Sequence, residues 1–296
     1  MPPSPSQHFF PIRPRDYDLA ATLASGQAFR WRNVEGAWEG FIGPRWLRLQ
    51  QTTEGIAAAT AGPPTDRHWL AHYLQIDVDL DAVARTFPDD EPMRRAVATC
   101  RGLRLLRQEP WECLASFILS STKQIVQIQQ IVALLCARFG ESLPVPPGHE
   151  AVFAFPTVER LALCSESELR DCKMGFRAPN LLRTARMIAA GEVNLSHLHA
   201  LALADARAEL MKLPGVGPKI ANCVLLFAYG FPQAFPVDVW VMKALRELYF
   251  PKRRVSEKRI ARFVATHFGP NAGYAQQYLF HYMRMGGKGG DLKVEG

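Results

Sequence analysis

The chain has six cysteines, Cys100, Cys113, Cys136, Cys164, Cys172 and Cys223, and no two of them form a CxxC pair. That scatter argues against a structural zinc site or a disulfide framework and suits a reducing, intracellular setting. An iron–sulfur cluster needs four close cysteines, and none follows Cys223, so a C-terminal cluster is excluded. No apolar run approaches the ~20 residues of a membrane span, so no membrane partner is expected. The opening MPPSPSQHFF lacks a basic start followed by an apolar stretch, so no secretory leader is expected. No internal repeat is visible. Charged residues are only 21% against 48% apolar, which excludes a disordered chain, and 296 residues are enough for two domains.

The charge that is present is unevenly placed. The net charge is +7, yet residues 201–296 hold 14 Lys/Arg against 7 Asp/Glu, leaving 21 of each sign in residues 1–200. A basic last third is either a solvated face or a surface for a polyanion such as nucleic acid, bound through counterion release from phosphates.

Residues 1–12 are rich in Pro and Ser and read as loose. From Gly26 to about Gln51, aromatics and short alternations recur in QAFRW, GAWEGFIG and RWLRLQQ, punctuated by Gly36 and Gly43-Pro44. That pattern predicts a small antiparallel sheet. Residues 66–86 and 91–101 read as helical. From Pro110 the pattern is helix after helix. PWECLASFILSS places Pro in a first turn and Leu114, Phe117 and Ile118 on one face, then stops at a polar break. Ile125, Ile128, Ile131, Val132 and Leu135 follow at helical spacing. Further helical runs cover about 157–164, 166–171, 179–190, 204–212, 219–229, 238–249, 256–268 and 271–285. The fold class is therefore α+β. An N-terminal α/β domain with an antiparallel sheet (1–106) precedes an all-helical domain (107–285), and 286–296 form a disordered tail.

One stretch stands apart, LPGVGPKIANC at 213–223. Leu213 and Val216 are apolar anchors for a tight turn. Gly215 and Gly217 permit backbone angles that other residues resist and keep side chains out of the way. Backbone N–H groups across Gly215, Val216 and Gly217 can then face one phosphate, aided by the start of the next helix. Helix, hairpin, helix in this form grips a DNA backbone without reading sequence. The competing reading is a mere connector between core helices.

Lys219, immediately behind the hairpin, reads either as one more phosphate contact or as an amine nucleophile. A nucleophilic amine has to be unprotonated, and partial burial at the positive end of a helix favours the uncharged form. Attack on a nucleotide sugar also needs a carboxylate to stabilise positive charge there. FPVDVW supplies Asp238, 19 positions on, ahead of an amphipathic helix where its ordinary role is an N-cap. The two roles are compatible, because capping fixes the orientation of the carboxylate.

With LPGVGPKIANC and FPVDVW together, the chain resembles the helix-hairpin-helix DNA glycosylases, whose bifunctional members carry a lysine after the hairpin. SGQAFRW (25–31), RGLRLLRQEPWECLASFILSS (101–121), MGFRAPNL (174–181) and GYAQQYLF (273–280) resemble 8-oxoguanine DNA glycosylase, and the similarity runs from about residue 16 to 282. The resemblance implies that a monomer binds double-stranded DNA containing 8-oxoguanine and flips the damaged base into a pocket. It implies that Lys219 attacks the sugar carbon, expels the base and forms a Schiff base, that Asp238 stabilises the developing positive charge, and that β-elimination can nick the strand. It implies no metal or redox cofactor. It also implies that the Gly26 carbonyl accepts from the N7–H that guanine lacks, a bond worth ~1–3 kcal/mol of discrimination. Cys223 and Phe280 would sandwich the purine, Gln276 would meet its Watson–Crick edge and Pro236 would line the same pocket. Without the resemblance, Gly26 reads as a turn at a strand start, Cys223 and Phe280 as helix core, and Gln276 as surface polarity.

The departures from the family pattern cluster on the face toward the opposite strand. Thr122, Lys123 and Gln124 stand where the eukaryotic enzymes carry a run of three asparagines, and Gln127 where those enzymes have the arginine that reads the opposing cytosine. Phe176 stands at the tyrosine wedge position, while the adjacent Arg177 is kept. Trp240 replaces a phosphate-binding histidine, which puts one backbone contact in doubt. Thr122, Lys123, Gln127, Phe176 and Arg177 are the DNA contacts expected here. A glutamine amide has fewer donors than a guanidinium fork, so a relaxed preference for cytosine opposite the lesion is expected. Two alternatives remain. A monofunctional alkylated-base glycosylase of the same superfamily has no need of Lys219. A non-catalytic helix-hairpin-helix protein leaves the pairing of Lys219 with Asp238 without purpose.

Overall fold

The computed structural model describes residues 7–10, 17–61, 68–121, 123–251 and 255–286. Five antiparallel strands form the N-terminal sheet: β1 (Gln7–Phe10), β2 (Arg32–Val34), β3 (Ala37–Ile42), β4 (Arg45–Thr52) and β5 (Gly55–Thr60), in the order β1-β5-β4-β3-β2. The register sets Leu49 opposite Ala58, and Leu47, Leu49, Ile56 and Ala58 are buried on the inner face.

Two expectations are corrected here. Residues 7–10 are not loose, because they pair with β5. The sheet also runs beyond residue 51, through β5. Its sequence GIAAAT carries three alanines, which are weak strand formers, so neighbours on both sides make it a strand rather than its own propensity. Expectations for residues 1–6 and 11–12, for the tail beyond 286 and for Thr122 fall outside the described residues.

The helices follow the periodicity closely. The run read as 66–86 is divided into α2 (His68–Leu74) and α3 (Leu80–Ala84), with Gln75 at φ +54° between them. Asp79 restarts the chain by accepting from Ala82 N at 2.9 Å. Two elements came without a periodic signal: α1 (Leu19–Ala24), capped by Asp18, and the hairpin β6 (Ser142–Leu143) with β7 (Val152–Phe153). The helical half comprises α4 (Glu91–Thr99), α5 (Pro110–Leu119), α6 (Ile125–Phe139), α7 (Val158–Ala162), α8 (Glu166–Leu169), α9 (Ala178–Ala189), α10 (Leu203–Leu210), α11 (Pro218–Val224), α12 (Val239–Ala244), α13 (Glu257–His267) and α14 (Ala272–Arg284). The runs read as 219–229 and 238–249 are completed by wider π turns, Leu225–Tyr229 after α11 and Leu245–Tyr249 after α12. No helix among the described residues is long and apolar enough to cross a membrane.

Two apolar cores meet along one seam. Trp31, Leu47, Leu49, Ile56 and Leu74 fill the sheet core, while Leu114, Phe117, Ile128, Leu135, Val224 and Leu279 belong to the helical core. Two segments cross the seam. In SGQAFRW, Ala28 enters the sheet core and Phe29 the helical core, and in residues 103–106 Leu105 and Leu106 divide in the same way. Arg30 straps the halves together: its guanidinium meets Glu112 Oε2 at 3.2 Å, donates to Phe153 O at 2.6 Å and lies 4.5 Å from the centroid of the Phe41 ring.

Candidate active site

The hairpin forms because apolar anchors pull it inward while glycine lets it turn. Leu213 and Val216 are buried, and Val216 N donates to Leu213 O at 3.1 Å. Gly215 has φ +80°, and a Cβ there would lie 2.9 Å from Asn180 Nδ2 on α9. Only glycine meets both conditions. Thr184 Oγ1 donates to Pro214 O at 3.2 Å, clamping the turn onto α9. Gly217 departs from the expectation. Its φ of −94° is open to any residue, so backbone freedom does not explain it. Its exposed side is free instead, with nothing within 4 Å of where a Cβ would stand.

Pro218 opens α11 and Lys219 follows, half-buried. Lys219 Nζ donates to Ser120 Oγ at 3.1 Å and stands 5.4 Å from the centroid of the Phe117 ring. One turn further, Asn222 Nδ2 donates to Phe235 O at 3.2 Å, and its Oδ1 accepts from Arg207 Nε at 3.0 Å. This relay ties α11 to the FPVD segment. Asp238 caps α12, its Oδ1 accepting from Val241 N at 2.8 Å. Cap geometry therefore fixes the plane of its carboxylate.

Cys223 joins the two reactive groups. Burial pushes its thiol up to about 11, with the Lys219 charge acting against that shift and the Asp238 carboxylate reinforcing it. One sulfur thus lies within electrostatic reach of both. Asp238 also acts on Arg284, whose charged form is disfavoured by burial and favoured by that carboxylate. Arg284 donates to Ala24 O at 3.5 Å and lies 5.6 Å from the Phe280 ring.

Gly26 faces the same wall. It has φ +75°, and a Cβ there would lie 2.8 Å from Ile125 Cδ1 and 3.6 Å from Phe280 Cε1. The loop carrying it has no regular structure and is held from below by Gln27. That buried amide donates to Thr22 O, Ser25 Oγ and Arg104 O and accepts from Leu106 N at 2.7 Å. Gln277 Nε2 fastens α14 to the loop through Ser25 O at 3.0 Å. Its neighbour Gln276 is 3% exposed, and its Oε1 has no partner among the described residues. A buried acceptor left open in this way is costly unless a ligand fills it. Pro236 is buried just ahead of Asp238.

The expected DNA-side residues divide. Phe176 is 61% exposed on the 3-10 turn Gly175–Arg177. Arg177 is buried, 3% exposed, lies 4.2 Å from the Phe176 ring and donates from Nη1 to Met174 O at 3.4 Å. Lys123 is half-buried and Gln127 exposed. The Gln127 Oε1 accepts from Gln124 N at 3.2 Å, so the side chain is folded back on its own helix. Trp240 is 40% exposed with Lys243 Nζ 5.6 Å from its ring, and beside it Val237, Asp238, Met242, Lys243 and Arg246 line an open cleft of about 500 Å³.

Sequence reasoning missed Ser120, Asn222, Ile125 and Arg284 as parts of this site. Arg284 carried a usable signal, since it stands four residues after Phe280 on one helix face. Ser120 lies in the 101–121 motif, but nothing in that motif pairs it with Lys219.

Comparison with known proteins agrees along the chain. Residues 9–114 match the family model "8-oxoguanine DNA glycosylase, N-terminal domain". Residues 115–269 match "HhH-GPD superfamily base excision DNA repair protein". N-glycosylase/DNA lyase OGG1 of Arabidopsis thaliana is 31% identical, over 92% of this chain and 79% of that protein. A probable N-glycosylase/DNA lyase of Methanothermobacter thermautotrophicus is 29% identical, over 92% and 95%. Among solved structures, the 8-oxoguanine glycosylase/lyase of Clostridium acetobutylicum, bound to double-stranded DNA with cytosine opposite 8-oxoguanine, superimposes with a TM-score of 0.87. It shares 32% identity and covers 92% of this chain and 93% of that one.

Proposed function

This chain belongs to the 8-oxoguanine DNA glycosylases of the HhH-GPD superfamily, as an N-glycosylase/DNA lyase of base excision repair, and on that footing we propose how its residues divide the reaction. Duplex DNA carrying 8-oxoguanine is the substrate, and the lesion nucleotide leaves the stack to enter the space bounded by Gly26, Cys223, Pro236, Gln276 and Phe280. The Gly26 carbonyl accepts from the N7–H of the oxidised base, and the open Gln276 Oε1 takes a donor of its Watson–Crick edge. Cys223 and Phe280 hold the ring faces.

Lys219 is the nucleophile. Its nitrogen lone pair forms a bond to C1′ as the C1′–N9 bond breaks, and the departing base keeps that electron pair and takes up a proton. The adduct gives its remaining N–H proton to O4′ as the sugar ring opens, leaving a Schiff base. Loss of a C2′ proton then expels the 3′ phosphate, and water hydrolyses the imine to release the amine. Asp238 stabilises positive charge at C1′ and O4′ throughout. The observation that carries this reading is geometric: Lys219 lies in the first turn of α11, Asp238 caps α12, and Asn222 on the lysine's helix holds Phe235 O, three residues before that aspartate.

The hairpin at Gly215, Val216 and Gly217 takes a phosphate of the lesion strand, and Lys243 and Arg246 add positive charge beside Trp240. Phe176 fills the gap in the stack, with Arg177 supporting its ring from below. Lys123 and Gln127 face the opposite strand, where a short amide folded back on its helix gives only a modest preference for cytosine.

Borohydride trapping on 8-oxoguanine duplex tests the core of the proposal. The native chain is expected to release free base and form a covalent adduct. Lys219→Gln is expected to bind the duplex, form no adduct and excise about a thousandfold more slowly or worse. Release at the native rate by that variant overturns the assignment.

A further inference from the structure

Ser120 is the C-cap residue of α5, and its hydroxyl makes two contacts. Its Oγ donates to Phe117 O at 2.7 Å and receives Lys219 Nζ at 3.1 Å. A carbonyl oxygen can only accept, so the single hydroxyl proton is committed to Phe117. Ser120 Oγ therefore meets the lysine purely as an acceptor. A neutral amine has two N–H bonds and one lone pair. A serine free to rotate would donate into that lone pair and mask it, whereas this one takes an N–H and leaves the lone pair unoccupied. The Phe117 ring, 5.4 Å from Nζ, closes a second side with an apolar face.

We infer that Ser120 is a positioning residue whose hydroxyl, locked as an acceptor by Phe117 O, holds Lys219 with its lone pair left free for the sugar carbon. The inference rests on the assignment of Lys219 as nucleophile. Its physical content is orientation: for attack on C1′ a misaimed nucleophile costs rate without costing affinity. The fold tolerates the test well, because Phe117 O also accepts from Ser120 N at 3.1 Å and keeps a partner when the hydroxyl is removed.

The test uses the full chain as native, Ser120→Ala, Ser120→Thr and Lys219→Gln. Three quantities are read: single-turnover release of 8-oxoguanine, borohydride trapping rate, and affinity for a duplex carrying a tetrahydrofuran abasic analogue, with melting temperature as a control. Ser120→Ala is expected to slow release and trapping together by about ten- to a hundredfold at unchanged affinity and melting temperature. Ser120→Thr, which keeps the hydroxyl, is expected to recover most of that loss. Native rates in Ser120→Ala beside an inactive Lys219→Gln overturn the inference and leave the nucleophile standing. A Ser120→Thr as slow as Ser120→Ala overturns it too, because the hydroxyl is then not what matters. Full activity in Lys219→Gln removes the nucleophile reading and this inference with it.

Discussion

The helical half and the seam loop each supply groups to the proposed site, and they hold them by different means. Lys219 stands on the first turn of α11 and Asp238 caps α12, so helix geometry and a cap bond place them. Gly26 sits in a segment without regular structure, and its position comes from the buried amide of Gln27 and from Gln277 below it. On the proposed reading, chemistry rests on backbone periodicity and lesion recognition on a side-chain network. The two should therefore fail in different ways when disturbed.

The largest expected effect separates charge from fold on the helical side. Asparagine caps helices as well as aspartate does, so Asp238→Asn keeps the bond to Val241 N and the melting temperature. It removes the negative charge, and single-turnover excision is expected to fall about 10²- to 10³-fold. Near-native excision in this variant reduces the carboxylate to a cap and collapses the distinction drawn between chemistry and scaffold.

That distinction also explains what was legible beforehand. Helices from α5 onward announced themselves because Leu114, Phe117 and Ile118, or Ile128, Ile131, Val132 and Leu135, recur at the helical period and are all buried. Lys219 and Asp238 stood out because one follows the LPGVGP hairpin and the other precedes an amphipathic helix at its capping position. Strand β5 was not found, since alanines at 57–59 become a strand only through partners 48–50 and 7–9. The π turns after α11 and α12 leave no trace in a spacing rule. The burial of Arg177 beneath the exposed Phe176 was not legible either, because adjacency in the chain says nothing about which side chain is uppermost. Ser120 lies 99 positions from Lys219, and nothing local marks such a pairing.

Arg30 offers the next largest effect and attacks the join between the halves. Its side chain is 6% exposed and that of Glu112 20%, so Arg30→Ala leaves a largely buried carboxylate without its cation. A loss of about 3 kcal/mol in folding stability at neutral pH is expected. The pH dependence has a definite sign. Burial raises the Glu112 carboxyl above its ordinary range and Arg30 opposes that rise. An acid raised on folding contributes most below its unfolded value, and that contribution is lost as pH rises through the folded value. Without Arg30 the folded value climbs further, so the deficit against the native chain should grow from pH 5 to pH 8 in denaturant unfolding. A deficit that shrinks over that range places the strain elsewhere than Glu112. Excision per folded molecule should fall less than stability, because Gln27 still holds the Gly26 loop.

The smallest effect sharpens the comparison on the strand opposite the lesion. Gln127 is exposed at the third position of α6 and spends its carbonyl on Gln124 N. Arginine cannot accept, so Gln127→Arg gives up that bond and should lose about 0.5–1 kcal/mol of stability. In return it presents a fork of donors to the acceptor atoms of an unpaired cytosine, whereas an opposing adenine offers that fork a poorer match. The ratio of single-turnover excision opposite C to that opposite A is therefore expected to be modest in the native chain and to rise about tenfold in Gln127→Arg, with the change in the C-containing duplex. A native ratio already spanning orders of magnitude, or one that the arginine leaves unmoved, would shift opposite-base reading from α6 to the Phe176–Arg177 turn. Arg177 would then have to leave its buried place against the phenylalanine ring when DNA binds.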